Sequence, residues 1–381
     1  MMKKEFLSLV KDIYGTDFVP LHRPVFEGKE KQYLMECIDS NFVSSVGEKV
    51  TEFEELTAKF TDSKFAIATV NGTSALHMCL HLAGVERFDE VITQALTFVA
   101  TCNAITYCGA SPVFIDVDKD TMGMSPSSLE SFLDEFVEIR GDYAYNKNSG
   151  KRIKACVPMH TFGFPCRIEE ISSICSQWNL ELVEDAAESL GSFYCAKHTG
   201  TLGSLGAISY NGNKIITTGG GGMIITNDES LAIRAKHITT TAKVPHAYEF
   251  VHDEIGFNYR MPNLNAALGC AQMETLPKML EIKESIIARY GQFFDGSRIK
   301  MIRPIEGATC NNWLSAIILN SRKDRDGFLS YTNENGVMTR PIWRLMSDLE
   351  MFQDCQKDGL ENSRWLEERV VNIPSSVPSI N

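Results

Sequence analysis

Short runs of apolar, β-forming residues alternate with stretches of helical periodicity along the first half of the chain. Residues 64–70 (KFAIATV) form one such run, and after a tight turn the pattern predicts a helix over 75–83. The same order recurs, with strands predicted at 90–93, 112–116, 155–159 and 181–184 and helices at 98–108, 127–136 and 168–178. Regular alternation of this kind favours a mostly parallel sheet covered by helices on both faces.

The second half of the chain has a different pattern. Two apolar runs predict strands at 207–210 and 222–226, and the glycine-rich segment between them carries a single charged residue, Lys214. From residue 263 the sequence predicts long helices at 264–273 and 279–294, mixed strands such as 313–320, and a helix ending near Val371.

We therefore predict an α/β protein in three segments. Residues 1–35 form an N-terminal arm with no core pattern of their own, residues 36–262 form a large α/β domain, and residues 263–381 form a smaller α+β domain. Ligands of mostly parallel sheets bind at the carboxyl ends of the strands. Polar residues that directly follow a predicted strand are thus the first candidates for a functional site.

Charge and composition narrow the class of protein. The 37 Lys and Arg against 49 Asp and Glu give a formal net charge of −12, which disfavours nucleic acid as a partner because that binding depends on clustered basic residues. Residues 91–115 carry no charge, but they include Gln, Asn, Gly and Pro and are predicted to form a buried strand, helix and strand. With no signal-peptide pattern and eleven cysteines lacking a C-x-x-C pair, we expect reduced thiols, a cytoplasmic location and no membrane partner.

Two histidines have the spacing of a metal-binding pair but lack the rest of the motif. His77 and His81 stand four residues apart on a predicted helix, but position 78 is Met, so the glutamate of the zinc-protease motif is missing. We interpret the two histidines as part of a helix face and expect no metal site.

Candidate functional residues follow three of the predicted strands. Gly72, Thr73 and Ser74 open a helix, where free backbone N–H groups can hold a phosphate, although Ser and Thr are also common helix caps. Asp185 ends the strand at 181–184, where a carboxylate contacts a ligand cation or caps a loop. Most lysines are solvated surface charges, but Lys214 has apolar and glycine neighbours, and a desolvated lysine can act as a nucleophile towards carbonyls.

Together these signals match the needs of pyridoxal 5′-phosphate (PLP). This cofactor requires an anchor for its phosphate, a carboxylate that keeps its pyridinium nitrogen protonated, and a lysine that bonds to it covalently. The three parts occur here in that chain order, and the combination is far more specific than any one of them.

The sequence resembles the sugar aminotransferases of the DegT/DnrJ/EryC1/StrS family. That family has the aspartate aminotransferase-like architecture (PLP fold type I), which implies a large domain with a mostly parallel, seven-stranded-type sheet and a smaller C-terminal α+β domain. The resemblance covers nearly the whole chain, and its strongest segments are 71–76 (NGTSAL), 95–101 (ALTFVAT), 184–189 (EDAAES), 209–214 (SYNGNK) and 256–261 (GFNYRM).

The resemblance implies how the cofactor is bound. Residues at the phosphate or the ring face would be Gly72, Thr73, Ser74, Ser209 and, stacked on the pyridine ring, Phe98.

Four further residues match family positions around the cofactor. Asp185 would pair with the ring nitrogen, and Glu188 would contact the ring hydroxyl, where many members have Gln instead. Lys214 matches the lysine that bonds to PLP. Asn258 matches an asparagine that reaches the cofactor phosphate of the neighbouring subunit, which implies a homodimer with shared active sites.

Lys214 also indicates the type of reaction. Sugar dehydratases of the family carry histidine in its place, so its presence implies transamination, in which the cofactor alternates with its pyridoxamine form. Segment 211–218 (NGNKIITT) resembles enzymes that aminate C4 of 4-keto-6-deoxy nucleotide sugars, and the arm resembles the aminotransferase of the legionaminic acid pathway. We therefore expect L-glutamate as donor and a UDP-linked 4-keto-6-deoxy N-acetylhexosamine as acceptor for a surface glycan, with His160 and Tyr210 as substrate-binding residues.

Three alternatives remain open on the sequence. The lysine segment is also similar to that of GDP-perosamine synthase, which would make the acceptor GDP-4-keto-6-deoxymannose. A PLP-binding regulator without catalysis would keep the fold, and a nucleotide-sugar enzyme could use the same cofactor for elimination. Conversion to pyridoxamine phosphate by glutamate separates transamination from the last two.

Overall fold

The computed structural model describes residues 2–380 of the chain. The α-helices within these residues are α1 (Met2–Tyr14), α2 (Glu30–Asp39), α3 (Glu48–Thr61), α4 (Gly72–Leu82), α5 (Val99–Tyr107), α6 (Pro126–Phe136), α7 (Ile168–Gln177), α8 (Glu229–Thr239), α9 (Asn263–Phe294), α10 (Arg322–Glu334) and α11 (Glu361–Glu367). Short 3-10 helices cover Thr161–Gly163, Met346–Asp348 and Glu350–Phe352. Between residues 2 and 380, no helix combines the length and apolar character needed to cross a membrane.

The strands of the large sheet come from residues 65–226. They are β1 (Phe65–Thr69), β2 (Glu90–Gln94), β3 (Ser111–Ile115), β4 (Val137–Arg140), β5 (Tyr143–Asn146), β6 (Arg152–Val157), β7 (Glu181–Asp185), β10 (Leu205–Ser209) and β11 (Gly222–Thr226). The short strands β8 (Phe193–Tyr194) and β9 (Lys197–His198) lie between β7 and β10 in the chain and belong to a separate sheet. The remaining strands are β12 (Lys243–Val244), β13 (Val251–His252), β14 (Lys300–Met301), β15 (Ala308–Thr309), β16 (Ser315–Ile318), β17 (Arg340–Pro341) and β18 (Val370–Ile373).

The central sheet confirms the predicted fold class. Its main path has seven strands in the order β1-β11-β10-β7-β6-β2-β3, and the hairpin β4–β5 joins it at β6. Only β11 runs antiparallel to its neighbours on this path, and the other adjacent pairs are parallel. In the register of β7 and β10, Asp185 lies opposite Ala207, so the carboxyl ends of these two strands are side by side.

Helices on both faces explain the apolar strands. Every residue of β2, β10 and β11 is buried, as expected for strands covered on both sides. The uncharged stretch 91–115 forms β2, α5 and β3, as the sequence predicted.

The C-terminal part of the chain departs from the prediction at two places. The predicted helix near Val371 is wrong there: α11 ends at Glu367, and Val371 belongs to β18, where it pairs with Ile317 of β16 and Pro341 of β17. The two helices predicted on either side of 274–278 form one helix, α9, which contains Pro277. Pro277 itself is exposed, whereas Leu276 and Met279 beside it are buried, so one face of α9 remains packed in the core across the proline.

The N-terminal residues also contain a helix that the sequence pattern did not predict. In α1, Phe6, Leu7 and Val10 are buried, and the ring centroid of Phe6 lies 5.3 Å from that of Phe328 in α10. The three-segment division remains a prediction, and the segments are packed against each other. Ile208 of β10 and Ala316 of β16, for example, belong to the same buried cluster.

Candidate active site

A cavity of ≈ 540 Å³ lies at the carboxyl ends of β7 and β10. Its wall combines the N-terminus of α4, the segment after β10 and residues of the C-terminal sheet. Seven of the residues that the sequence analysis selected line this cavity together: Gly72, Thr73, Phe98, Asp185, Glu188, Ser209 and Lys214. Residues from four separate segments of the chain thus meet around one volume.

The N-terminus of α4 forms one part of the wall. Asn71 is the N-cap, and its side-chain oxygen accepts a hydrogen bond of 2.7 Å from the amide of Ser74. The amides of Gly72 and Thr73, at the first helical positions, have no carbonyl partner within the helix and are available to an anion. Ser74 itself is buried and does not line the cavity, so its contribution here is to the cap.

Gly72 allows α4 to approach the end of β10 closely. A Cβ at this position would lie 2.7 Å from Cβ and 2.9 Å from Oγ of Ser209, well inside van der Waals contact. Only glycine therefore fits beside Ser209, and the two residues form a narrow cradle of backbone amides and a hydroxyl. Such a cradle suits a phosphate group.

Asp185 ends β7 with its carboxylate buried against the cavity. Its Oδ2 accepts a hydrogen bond of 2.7 Å from Thr101 Oγ1, and its Oδ1 accepts one of 3.2 Å from the amide of Ala187. Burial raises the pKa of this carboxyl, and the hydrogen bonds and the positive charge of Lys214 offset only part of that effect. A protonated pyridine nitrogen at this position would supply the missing charge compensation.

Lys214 is held on two sides. Its Nζ lies 3.1 Å from Oε1 of Glu188 and 4.0 Å from the ring centroid of Trp313. The side chains of the ion pair are only 12% and 2% exposed. Burial raises the pKa of Glu188, and Lys214 together with the amide of Phe162 partly opposes the shift.

Aromatic residues close the site around the lysine. The ring centroids of Phe162 and Trp343 are 4.7 Å apart, and Phe98, which is 48% exposed, lies 6.1 Å from Trp343. Phe162 has a positive φ of 56°, rare for a bulky residue, and its amide donates to Glu188 Oε2 at 2.9 Å. The sequence analysis missed Phe162, Trp313 and Trp343.

Two predicted substrate-binding residues lie elsewhere. His160 is fully buried, with Nε2 2.9 Å from Glu184 Oε2 and Nδ1 accepting from the amide of Cys166. Tyr210 is also fully buried, and its hydroxyl lies 3.1 Å from Thr57 Oγ1. Neither side chain lines the cavity, and both lie in supporting positions behind its wall, so their substrate-binding roles stay predictions.

The position of Glu184 explains why His160 faces inwards. The carboxylate of Glu184 accepts hydrogen bonds from the amides of Gly200, Leu202 and Gly203 at 2.6–2.7 Å. Burial opposes its ionisation, but the hydrogen bonds from His160 and these amides outweigh burial and lower its pKa. His160 is thus part of a buried network that fixes the loop 198–204 next to β7.

Asn258 lies outside the cavity of its own protomer. It is exposed on the segment after β13, and its side-chain oxygen accepts from Arg260 Nε at 3.0 Å. Its predicted role in a neighbouring subunit's site stays a prediction.

The chemistry of these side chains fits PLP. Gly72, Thr73 and Ser209 would hold the phosphate, Asp185 the ring nitrogen, Glu188 the ring hydroxyl and Lys214 the reactive carbon. The fold and the site together define a PLP-dependent enzyme with an aspartate aminotransferase-like architecture.

Comparison with known proteins gives the family. The model of the DegT/DnrJ/EryC1/StrS aminotransferase family matches residues 24–379, and the chain belongs to this family. The chain is 36% identical to the putative pyridoxal phosphate-dependent aminotransferase EpsN of Bacillus subtilis (strain 168), over 87% of this chain and 83% of that protein. It is 34% identical to the GDP-perosamine synthase of Escherichia coli O157:H7, over 96% and 94%. Among solved structures, a DegT DnrJ EryC1 StrS aminotransferase from Brucella abortus superimposes with a TM-score of 0.82 at 25% identity, over 92% of this chain and 90% of that one.

Proposed function

We propose that this enzyme transfers the amino group of L-glutamate to the C4 ketone of a nucleotide-linked 4-keto-6-deoxy sugar. The observation that carries the proposal is the placement of Lys214 Nζ, 3.1 Å from Glu188, in the same cavity as Asp185. A lysine in this place favours transamination over a regulatory role or elimination.

The chain's own residues provide the acid–base chemistry. When bound, PLP supplies an electron sink that makes a proton on the donor's α-carbon acidic. Lys214 Nζ is the base that takes this proton, and Glu188 Oε1 is close enough to receive it from the lysine or return it. Trp313 and Phe162 shield the two side chains from water, which strengthens their electrostatic interaction.

Two acceptor sugars are candidates. Likeness of the arm and the lysine segment to the legionaminic acid enzyme supports a UDP-linked 4-keto-6-deoxy N-acetylhexosamine. The relative named GDP-perosamine synthase supports GDP-4-keto-6-deoxymannose, with 34% identity over nearly the whole chain. The comparisons favour the second acceptor, and the experiment below separates the two.

The proposed unit is a cytoplasmic homodimer with shared active sites. Tyr248, Phe250 and Ile255 are at least 80% exposed in the single protomer and lie in the same segment as Asn258. Burying such side chains against a second copy would stabilise a dimer, and it would bring Asn258 towards the partner's phosphate cradle. All eleven cysteines are unpaired, as expected for a reducing compartment.

Absorption spectroscopy of the purified holoenzyme tests the proposal. L-Glutamate should bleach the band of the lysine-bound cofactor. After removal of free glutamate, the UDP-linked or the GDP-linked 4-keto-6-deoxy sugar, offered separately, should restore it. Recovery with only one nucleotide sugar identifies the acceptor. A band that glutamate leaves unchanged would refute the proposed donor or the reaction type.

A Lys214→Ala variant provides the control for these measurements. It should keep the fold and lose nearly all turnover, because no other lysine lines the cavity among residues 2–380. Turnover at the wild-type rate in this variant would exclude Lys214 as the catalytic base.

A further inference from the structure

Arg340 is a basic residue of the cavity wall that the chemistry above does not use. It lies in β17, opposite Asn372 of β18, and both residues line the cavity with Lys214. The only other cation of the wall within the described residues is Lys214 itself. The two carboxylates of the wall, Asp185 and Glu188, are engaged by Thr101, Lys214 and Phe162. Arg340 therefore has no assigned partner among the groups of the wall.

The hydrogen bonds of Arg340 leave one edge of its guanidinium free. Nη1 donates to Asn333 Oδ1 and to the carbonyl of Thr339, each at 3.2 Å. Both acceptors are neutral, and Arg340 forms no salt bridge with any residue between 2 and 380. Nε and Nη2 thus have no acceptor in the described part of the chain. These two atoms form the edge of arginine that binds two oxygens of one anion in parallel.

We propose that Arg340 is the anion-binding residue of the substrate site, where Nε and Nη2 hold two oxygens of one substrate group. This proposal rests on the proposed function and adds a specificity-determining residue to it. Both proposed substrates carry such a group: the amino donor has carboxylates, and the nucleotide sugar has a diphosphate. Asn333 and Thr339 fix Nη1, so the free edge is presented in a defined orientation, which reduces the entropy lost on binding.

The cofactor phosphate is not the ligand of Arg340 in this scheme. That phosphate has its own cradle at Gly72, Thr73 and Ser209, built from backbone amides and a hydroxyl. Arg340 comes from β17 of the C-terminal sheet, opposite Asn372, whereas the cradle is built from α4 and the end of β10. Its loss should therefore weaken substrate binding and leave cofactor binding intact.

Binding measurements on the holoenzyme test this assignment. The probes are UDP and GDP, followed by titration calorimetry, and L-glutamate, followed by the concentration dependence of cofactor bleaching. Arg340→Met should weaken binding of at least one probe by roughly 10- to 100-fold, the loss expected for charge-assisted hydrogen bonds. Arg340→Lys should lose most of the same affinity, since an ammonium cannot bind two oxygens along one planar edge.

Arg344 provides the matched control. It is an exposed arginine four residues further along that does not line the cavity, so Arg344→Met should bind all three probes like the wild type. A loss confined to L-glutamate assigns the edge to the donor's carboxylate, and a loss confined to UDP and GDP assigns it to the diphosphate. Unchanged affinity of Arg340→Met for every probe overturns the proposal, as does a wild type that binds none of them.

Failure of this inference and failure of the proposed function give different results. If glutamate does not bleach the wild-type cofactor band but Arg340→Met still loses affinity for UDP or GDP, the donor is wrong and the anion site stands. If bleaching proceeds normally and the variant binds like the wild type, the function stands and the role of Arg340 is refuted. Equal cofactor absorbance and equal melting temperature in variant and wild type verify that the site is otherwise intact.

Discussion

Glu188 Oε1 lies 3.1 Å from Lys214 Nζ, and the opposite oxygen of the same carboxylate accepts the amide of Phe162 at 2.9 Å. The backbone thus fixes the orientation of Glu188 and directs its free oxygen at the lysine. A glutamine here could accept only one of these two hydrogen bonds, because its amide nitrogen is a donor, and it could not take up a proton. Both contacts therefore depend on the carboxylate of Glu188.

Glu188→Gln should change the pH dependence of the reaction as well as its rate. Burial raises the pKa of Glu188, and the proposed proton transfer needs it ionised. The wild-type rate should therefore fall as the pH drops through this raised pKa, and the variant should lack that acid limb. We expect kcat to fall roughly 10- to 100-fold, at or below the lower end of general acid–base effects. A pH profile of kcat for both proteins checks this, and an unchanged acid limb in the variant would exclude Glu188 as the titrating group.

Gly72→Ala should weaken cofactor binding through a steric clash. The new Cβ would lie 2.7 Å from Cβ of Ser209, so α4 or β10 must shift and the phosphate cradle must widen. Titration of the apoenzyme with PLP, followed by absorbance, should show affinity reduced roughly 10-fold or more.

Gly212 offers a matched control for that clash. It lies in the segment between β10 and β11, and a Cβ there would have its nearest neighbour at 3.9 Å, an ordinary contact. Gly212→Ala should bind PLP like the wild type. Equal losses in the two variants would show that the effect of Gly72→Ala does not come from its contact with Ser209.

Trp313 should stabilise the position of Lys214 through two separate contacts. Its ring lies under Lys214 Nζ at 4.0 Å, and its Nε1 donates to the carbonyl of Asn213, the residue before the lysine. Trp313→Phe keeps a ring and loses the hydrogen bond, whereas Trp313→Leu loses both. We expect losses of about 1 and about 3 kcal/mol in the free energy of unfolding, measured in urea. The rate of cofactor bleaching by glutamate should fall in the same order, and equal rates in the two variants would argue against a role for the ring.

The sequence could predict the part of the site that follows strand ends. Gly72 and Lys214 follow β1 and β10, and Asp185 ends β7. Parallel strands bring their carboxyl ends to one edge whatever lies between them in the chain. The alternation of short apolar runs and helical stretches depends only on neighbouring residues. Most helices and strands of residues 64–226 were therefore predicted with bounds within a few residues of those observed.

Local periodicity and strand ends could not predict contacts between distant segments or the directions in which side chains point. Arg340 reaches the cavity from β17 of the small antiparallel sheet and Trp313 from the segment just before β16, where no rule about strand ends applies. Tyr210 directly follows Ser209, which lines the cavity, but side chains alternate in direction along a strand and Tyr210 points back to Thr57. Val371 lies in a run of β-branched residues whose strand partners, β16 and β17, are 25 or more positions away in the chain.

Lys283 provides a test of stability that is independent of catalysis. This lysine of α9 is fully buried, and its Nζ donates to the carbonyls of Asn312 and Trp313 at 3.0 and 3.3 Å and to that of Ser375. Burial lowers its pKa from 10.5 to about 7, with a smaller opposite effect of Cys310. The ammonium form is thus costly to bury, although three carbonyls at the junction of α9, β16 and the C-terminal residues receive it.

The lowered pKa fixes the sign of the pH dependence. Between pH 7 and 10.5 the unfolded chain keeps the Lys283 proton and the folded protein releases it. The free energy of unfolding therefore increases as the pH rises. The gain is up to about 1.4 kcal/mol per pH unit, and below pH 7 the contribution no longer changes because both states are protonated. Lys283→Met removes this contribution and leaves the other titrating groups in place. The difference in unfolding free energy between wild type and variant, measured in urea, should therefore grow in favour of the wild type from pH 7 to pH 9. A difference that stays constant over this range would mean that Lys283 remains charged in the folded protein, held by its three carbonyls.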